Sequence, residues 1–563
     1  MQPLHPFPPK SIKTMSEEID IPGTARLFTE TGEALSNEIH LIPAPSSDPE
    51  DPLNWTQKRK YFNLFCVLLY SIATGILSSV LYSVYTPLGE ENGLTLDQLN
   101  AGQGYMYLFI GVCCLFTTPL ALCFGKKPMY VVTCIASGLV NLWVIYGKGN
   151  GQWIICRLLV GLCISPQFAL VEISIADVFF MHERAFGLGL YCTSLYVGVT
   201  LGPILSGYIM DGLGWRAIIW LSSGFCWVSG IFLFFFLEET SFYRDPSTEQ
   251  IAHGHSVPST HAHVAESETN SEHDKKDEAA VSEQPHGVPI DPTARLARTP
   301  WPGPRFWRFS KPHPYSGGIM LRGLVQPILL LRNPILLWCA LQFGMYQVYW
   351  NFIAALTSGV LAEPPYNFSP SSVGLTFLGP LIFSIPGSVF GGRLADYCAV
   401  RFAKKNHGIS QAEDKLWLFI GPLIGMVIGL LMMGLGPYYS AHWIVFVLGC
   451  SIVNFCGPIA TAISLAYAFD CFHPVRPDST VGPQAAAQDS SPYLLSVIFL
   501  GMTIAFGFGY AITPWCFTWG YKNFGISAAM TSIIVNGTAF LMLWKGRQMR
   551  RSGEAFYRKV INW

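Results

Sequence analysis

The chain has 563 residues, 51% hydrophobic and 13% charged, with a formal net charge of −1 at pH 7. So apolar and charge-poor a chain is not a set of soluble domains, and without a basic field it is not a nucleic-acid binder. Its 15 cysteines lie mostly inside apolar runs, as in Cys113-Cys114, and show neither a metal spacing nor a disulfide framework. Residues 1–60 are polar and Pro-rich and lack the apolar core of a cleavable signal peptide, so they read as a cytoplasmic tail. Apolar runs of membrane-spanning length follow at roughly 61–86, 101–124, 128–146, 153–178, 186–210, 216–238, 334–361, 372–395, 416–436, 441–470, 492–516 and 523–544. Runs such as Ile218 to Leu237 are continuous, and the alternation of a membrane β-barrel is absent.

The expected fold is therefore an all-α membrane protein of twelve transmembrane helices in two six-helix bundles, 61–239 and 334–545. The two halves echo each other. The fourth run ends Ile175-Ala176-Asp177-Val178-Phe179 and the tenth ends Ala468-Phe469-Asp470-Cys471-Phe472, an acidic residue at matching depth in matching helices. Between about 240 and 320 the composition turns to Ser, Glu, His, Pro and Lys, too few apolar residues to fold alone. Residues 240–333 are read as a mostly disordered cytoplasmic linker, and 546–563 as a cytoplasmic tail. His253-Gly-His255 and His261-Ala-His263 in the linker suggest metal binding or a solvated segment, and no Cys or acidic cluster completes a shell. Basic residues at Lys58-Arg59-Lys60, Lys126-Lys127, Arg184, Arg332 and the Arg401 to Lys415 group fall on the side an inside amino terminus requires. Both termini are expected in the cytosol, and Asn367-Phe-Ser369 in an outside loop is a candidate glycan acceptor.

Several intramembrane residues carry chemistry. Arg157 in the fourth helix either takes part in proton coupling or snorkels to the outer interface beside Trp153. Glu172 lies fifteen positions beyond Arg157, about 22 Å along a straight helix and too far for a direct pair. It needs a proton, a cationic solute or another side chain as partner, unless it faces water near the cytoplasmic mouth. Tyr82 and Tyr85, with Gln342, Tyr346, Tyr349, Trp350 and Asn351, cluster in the first and seventh helices, which are equivalent in the repeat. Flat rings with polar tips suit either a binding pocket or helix packing. Asp177 and Asp470 are gating candidates, and so are Lys126, Lys127 and Arg184.

Helix five reads Gly198-Val-Thr-Leu-Gly202-Pro203-Ile-Leu-Ser206-Gly207. Bare small-residue spacing is ordinary helix packing, but the full run resembles the motif of proton-coupled drug antiporters in the major facilitator superfamily. Arg157-Leu-Leu-Val-Gly161 resembles the superfamily's Arg-x-x-x-Gly motif, which implies a coupling role for Arg157. The loop Thr118-Pro-Leu-Ala-Leu122-Cys-Phe-Gly125-Lys126-Lys127 resembles a degraded form of the loop signature after helix two, while Gly392-Arg393-Leu394-Ala395-Asp396 keeps its aspartate and makes Asp396 a gating candidate. Asp48-Pro-Glu-Asp-Pro-Leu-Asn-Trp55, His182-Glu-Arg184 and Glu238-Glu239-Thr240-Ser-Phe-Tyr-Arg244 resemble fungal members of the histidinol and polyamine transporter-like group. The resemblance implies a monomeric plasma-membrane carrier, without cofactor or metal, whose partners are a small organic solute, protons and the bilayer. Proton-coupled efflux of a drug-like compound, proton-coupled uptake of a cationic nutrient such as a polyamine, and a transporter-like nutrient sensor are the alternatives. No nucleophile–base or metal-ligand arrangement suggests an enzyme, and no ATP-binding signature is present, so an ion gradient is the simpler drive.

Overall fold

The computed structural model describes residues 24–26, 51–242, 316–405, 409–472 and 490–561, and leaves out a few side chains within those helices. Most of the 1–60 tail and residues 243–315 of the linker, including both histidine pairs, lie outside the described residues. Among the described residues eleven helices are long and apolar enough to cross a membrane: Gln57–Asn92, Leu96–Phe124, Lys126–Tyr146, Asn150–Val178, Phe186–Leu213, Trp215–Phe236, Pro370–Gly392, Ala412–Tyr438, Trp443–Cys471, Pro492–Cys516 and Tyr521–Gly553. The twelfth, seventh in chain order, is a bent pair, Met320–Leu330 and Pro334–Leu361, which together are long and apolar enough and meet at 91°. The chain is thus the all-α, twelve-span protein its hydropathy predicts. The strands among the described residues are two three-residue pieces, Thr24–Arg26 antiparallel to Ile409–Gln411.

Local chemistry sets where these helices start and break. Thr95 opens the second span with a capping box: its Oγ1 accepts from Gln98 N at 3.3 Å while Gln98 Oε1 accepts from Thr95 N at 3.2 Å. Asn333 caps the seventh span, its side chain accepting from Ile335 N at 3.0 Å, with Pro334 at the first helical position. The fourth span is two helices, Asn150–Ile164 and Pro166–Val178, because Pro166 has no N–H to continue the ladder. The last helix runs from Tyr521 to Ile561, well past the apolar run that ends near residue 544. Its polar extension is held by Arg550, which is buried and paired with Glu413, Nε to Oε1 at 2.9 Å. Hydropathy reports lipid contact and therefore misses helix that continues beyond the membrane.

The internal repeat is written in three sets of contacts. Within each bundle, equivalent helices touch through glycine: Gly75 of the first span lies on Gly198 of the fifth, where an added Cβ would sit 3.1 Å from Gly198 Cα. Gly344 of the seventh lies on Gly501 of the eleventh, a Cβ there meeting Gly501 O at 2.6 Å. Between bundles, Gly104 of the second span meets Gly509 of the eleventh, and Gly374 of the eighth meets Gly207 of the fifth. Ion pairs repeat as well. Lys126 at the start of the third span pairs with Asp177 at the end of the fourth, and Lys415 at the start of the ninth pairs with Asp470 at the end of the tenth, 2.7 Å apart. Small residues let backbones approach closely where lipid supplies no hydrophobic drive between helices.

Candidate functional site

A narrow, partly open cavity lies between the two bundles, at mid-length of the helices that line it. The first bundle contributes Ser78, Met106, Tyr107, Ile110, Ile164, Gln167, Phe168, Leu195, Tyr196 and Val199, and the seventh span contributes Gln347 and Trp350. Among the described residues no charged side chain lines it. The polar groups of the first bundle are largely committed elsewhere: Gln167 Oε1 accepts from Thr74 Oγ1 at 2.9 Å, its Nε2 donates to Ser71 O at 3.2 Å, and Ser78 Oγ donates to Gly75 O at 2.7 Å. Trp350 differs. Its ring meets Tyr196 edge-on with centroids 6.5 Å apart, and its Nε1 is buried with no hydrogen-bond partner. A smaller cavity lies nearer the ends opposite the linker, lined by Tyr82, Tyr85, Asn100, Gln103, Gly104, Asn351, Ala354, Ala355, Gly509 and Ile512.

The structure separates the aromatic candidates into two groups. Tyr82, which accepts from Gln103 Nε2 at 2.5 Å, Tyr85, Trp350 and Asn351 line the cavities between the bundles. Gln342 and Tyr346 face the twelfth span instead: Gln342 Nε2 donates to Val535 O at 2.8 Å and Tyr346 Oη to Asn536 Oδ1 at 2.5 Å. Tyr349 packs edge-on against Tyr346 and tilted against Phe352, on that same side. These three positions share one helical face, and 347, 350 and 351 share another. The sequence could not distinguish the faces because this helix is buried nearly all round. Gln347, Tyr107, Gln167, Phe168 and Tyr196 were missed. For the two glutamines the available signal was an amide in an otherwise apolar span.

Arg157 and Glu172 stand on either side of the Ser165-Pro166 break and form no ion pair with each other. Arg157 is 1% exposed, its Nε and Nη2 have no partner among the described residues, and its Cζ lies 4.3 Å from the centroid of the Trp153 ring. Glu172 is 5% exposed and its Oε2 has no partner. It lies one helical turn from the cavity-lining Phe168, within electrostatic reach of Cys114, Tyr191 and Cys192.

The charged candidates at the linker side form ties within each bundle. Besides the pairs of Asp177 and Asp470, Glu239 caps the third span by accepting from the backbone N–H of Lys126 and of Lys127, each at 3.0 Å. Arg59 joins the first span to Glu238 after the sixth, Nε to Oε1 at 2.9 Å. The side chains of Arg184 and Asp396 lie outside the described residues. Gly198 and Gly202 pack on the first span, an added Cβ at Gly202 running into Ser79 Oγ, whereas Gly207 and the Pro203 carbonyl meet Gly374 across the bundle boundary. Asn367 is exposed with φ 51°, in a loop before the eighth span.

At the ends opposite the linker the bundles are joined. Asn100 Nδ2 donates to Thr513 Oγ1 at 3.2 Å, Tyr510 bonds Tyr105 through their hydroxyls, and Thr86 and Ser358 lie 3.4 Å apart. The glycine contacts Gly104–Gly509 and Gly207–Gly374 flank this closure.

A family model described as Major Facilitator Superfamily matches residues 64–482. An uncharacterized MFS-type transporter of Schizosaccharomyces pombe is 28% identical over 96% of this chain and 95% of its own length. Protein HOL1 of Saccharomyces cerevisiae is 26% identical over 96% and 97%. Among solved structures, the proton:xylose symporter XylE bound to 6-bromo-6-deoxy-D-glucose is similar in fold, with a TM-score of 0.53 and 13% identity over 87% of this chain and 96% of that one.

Proposed function

Since the chain belongs to the major facilitator superfamily and is a multi-pass membrane transporter of small solutes rather than an enzyme, we propose that it exports a mainly apolar organic solute in exchange for protons. The observation that carries this reading is the lining of the central cavity: aromatic and aliphatic side chains from both bundles, two amides and no charge. Such a wall suits a drug-like compound or secondary metabolite better than a polyamine, whose several ammonium groups would lose hydration without carboxylates to replace it. Glu172 is the proposed proton-exchanging group. It gains a proton while the cavity faces one side and releases it on the other, and the solute moves in the opposite sense. The bundles rock about the cavity, parting and re-forming the glycine contacts at one end. Arg157 supplies a fixed positive charge in the half opposite the linker. Asp177 with Lys126 and Asp470 with Lys415 act as gate struts that hold the ends of neighbouring helices in register; Lys127, Arg184 and Asp396 join them. The proposed site is the plasma membrane, with both termini in the cytosol and the monomer as the working unit.

The second reading, proton-coupled uptake of an organic cation, is favoured by one feature: the buried Glu172 carboxyl, whose Oε2 has no partner among the described residues, one turn from the cavity-lining Phe168. Cells lacking and cells overproducing the protein, assayed by mass spectrometry for solutes in cell and medium with and without an uncoupler, separate the two. Retention of an apolar solute in the deletion strain supports export. Reduced content of a cationic solute in that strain refutes it.

A further inference from the structure

Arg157 poses a problem that proton exchange does not solve. Its guanidinium is buried to 1% exposure, yet among the described residues it forms no ion pair, and two of its nitrogens have no hydrogen-bond partner. The Trp153 face at 4.3 Å offsets only part of the lost hydration of a buried, unpaired guanidinium. Nearby donors are also unanswered. Trp153 Nε1 and Tyr85 Oη are buried without partners among the described residues, as are two acceptors, Gln103 Oε1 and Asn351 Oδ1. The group is contiguous: Trp153 fills the space left by the missing side chain of Gly102, the adjacent Gln103 donates to Tyr82, and Tyr82 meets Tyr85 edge-on at 5.9 Å. Both tyrosines and Gln103 line the smaller cavity, and Tyr107, one turn along from Gln103, lines the larger. The one net charge here is positive, and the indole and guanidinium groups can only donate.

We propose that Arg157 is the docking point for a carboxylate carried by the transported solute, whose apolar body occupies the central cavity. Arg157 itself lines neither cavity and lies behind Tyr82 and Tyr85, which line the smaller one; from Arg157 to Ile164 of the central cavity is seven residues, about 10 Å of helix, so a solute engaging both must span about that length. The substrate class is thus narrowed to an apolar monoanion. This rests on the transport reading only for the solute's being carried; the binding itself is tested without a gradient.

The full chain in lipid nanodiscs is titrated with naphthoate, naphthylmethanol and naphthylmethylamine, which share one ring system and differ in charge, and with chloride alone; binding is read as thermal stabilisation. A charge-assisted contact makes naphthoate bind at least tenfold more tightly than the alcohol, with the amine weakest. Arg157→Gln removes that preference and leaves alcohol binding intact, and Arg157→Lys restores part of it. Equal affinity for the acid and the alcohol in the wild-type protein overturns the proposal, as does stabilisation by chloride without any by naphthoate. Either failure would leave proton-driven export of a neutral solute standing.

Discussion

Replacing Gly207 by alanine is expected to tip the carrier away from the conformation described here. A Cβ at this position would sit 2.6 Å from Pro370 O and 3.1 Å from Gly374 Cα, both in the other bundle. Ordinary contact requires the two backbones to separate by about 0.8 Å, and overpacking of this size costs about 1–3 kcal/mol. The contact crosses the bundle boundary at the closed end, so only the conformation closed at that end bears the cost. The ratio of conformations then shifts roughly 5- to 150-fold toward opening opposite the linker. Hydrogen exchange read by mass spectrometry on the purified protein reports this as faster exchange in Tyr85–Asn92 and Pro370–Thr376. Gly198→Ala is the control. Its Cβ would meet Ile72 O at 2.9 Å within one bundle, so it should lower thermal stability without favouring either end. If Gly207→Ala leaves exchange at the closed end unchanged, or if Gly198→Ala produces the same directional pattern, rocking about the glycine contacts is wrong.

Glu172→Gln keeps the shape of the side chain and removes its titration, so solute flux should lose its response to an imposed pH gradient while the protein still folds and counterflow persists; retained gradient-driven flux in vesicles would remove Glu172 from the coupling step. Trp350→Phe deletes the unpartnered indole N–H from the cavity and should weaken solute binding several-fold with little change in melting temperature. Arg550→Ala strands the buried Glu413 carboxylate, a loss of about 3–5 kcal/mol that denaturation would show as a large fall in stability, and adding Glu413→Gln should recover much of it. By contrast, Lys415→Ala breaks a partly exposed pair with Asp470 and should cost about 1 kcal/mol or less in the same assay.

Spans, repeat and fold were legible because the bilayer imposes a length and a composition on any helix that crosses it, and those constraints act residue by residue along the chain. The matching depths of Asp177 and Asp470 were visible for the same reason, as was the membrane cost that marks Arg157 and Glu172. The partners were not. That Lys126 and Lys415 hold equivalent aspartates, that Gly207 serves the other bundle while Gly198 serves its own, and that Gln347 and Trp350 meet the cavity while Gln342 and Tyr346 meet the twelfth span were decided by helix rotation and by contacts between residues far apart in sequence. A span buried on every side carries no hydrophobic asymmetry from which its facing could be read. The sequence by itself determined that twelve helices cross a membrane in two related sets; only the packed structure decided which side chains are left without partners, because a group's lack of a partner is a property of its neighbours in space rather than of the residue.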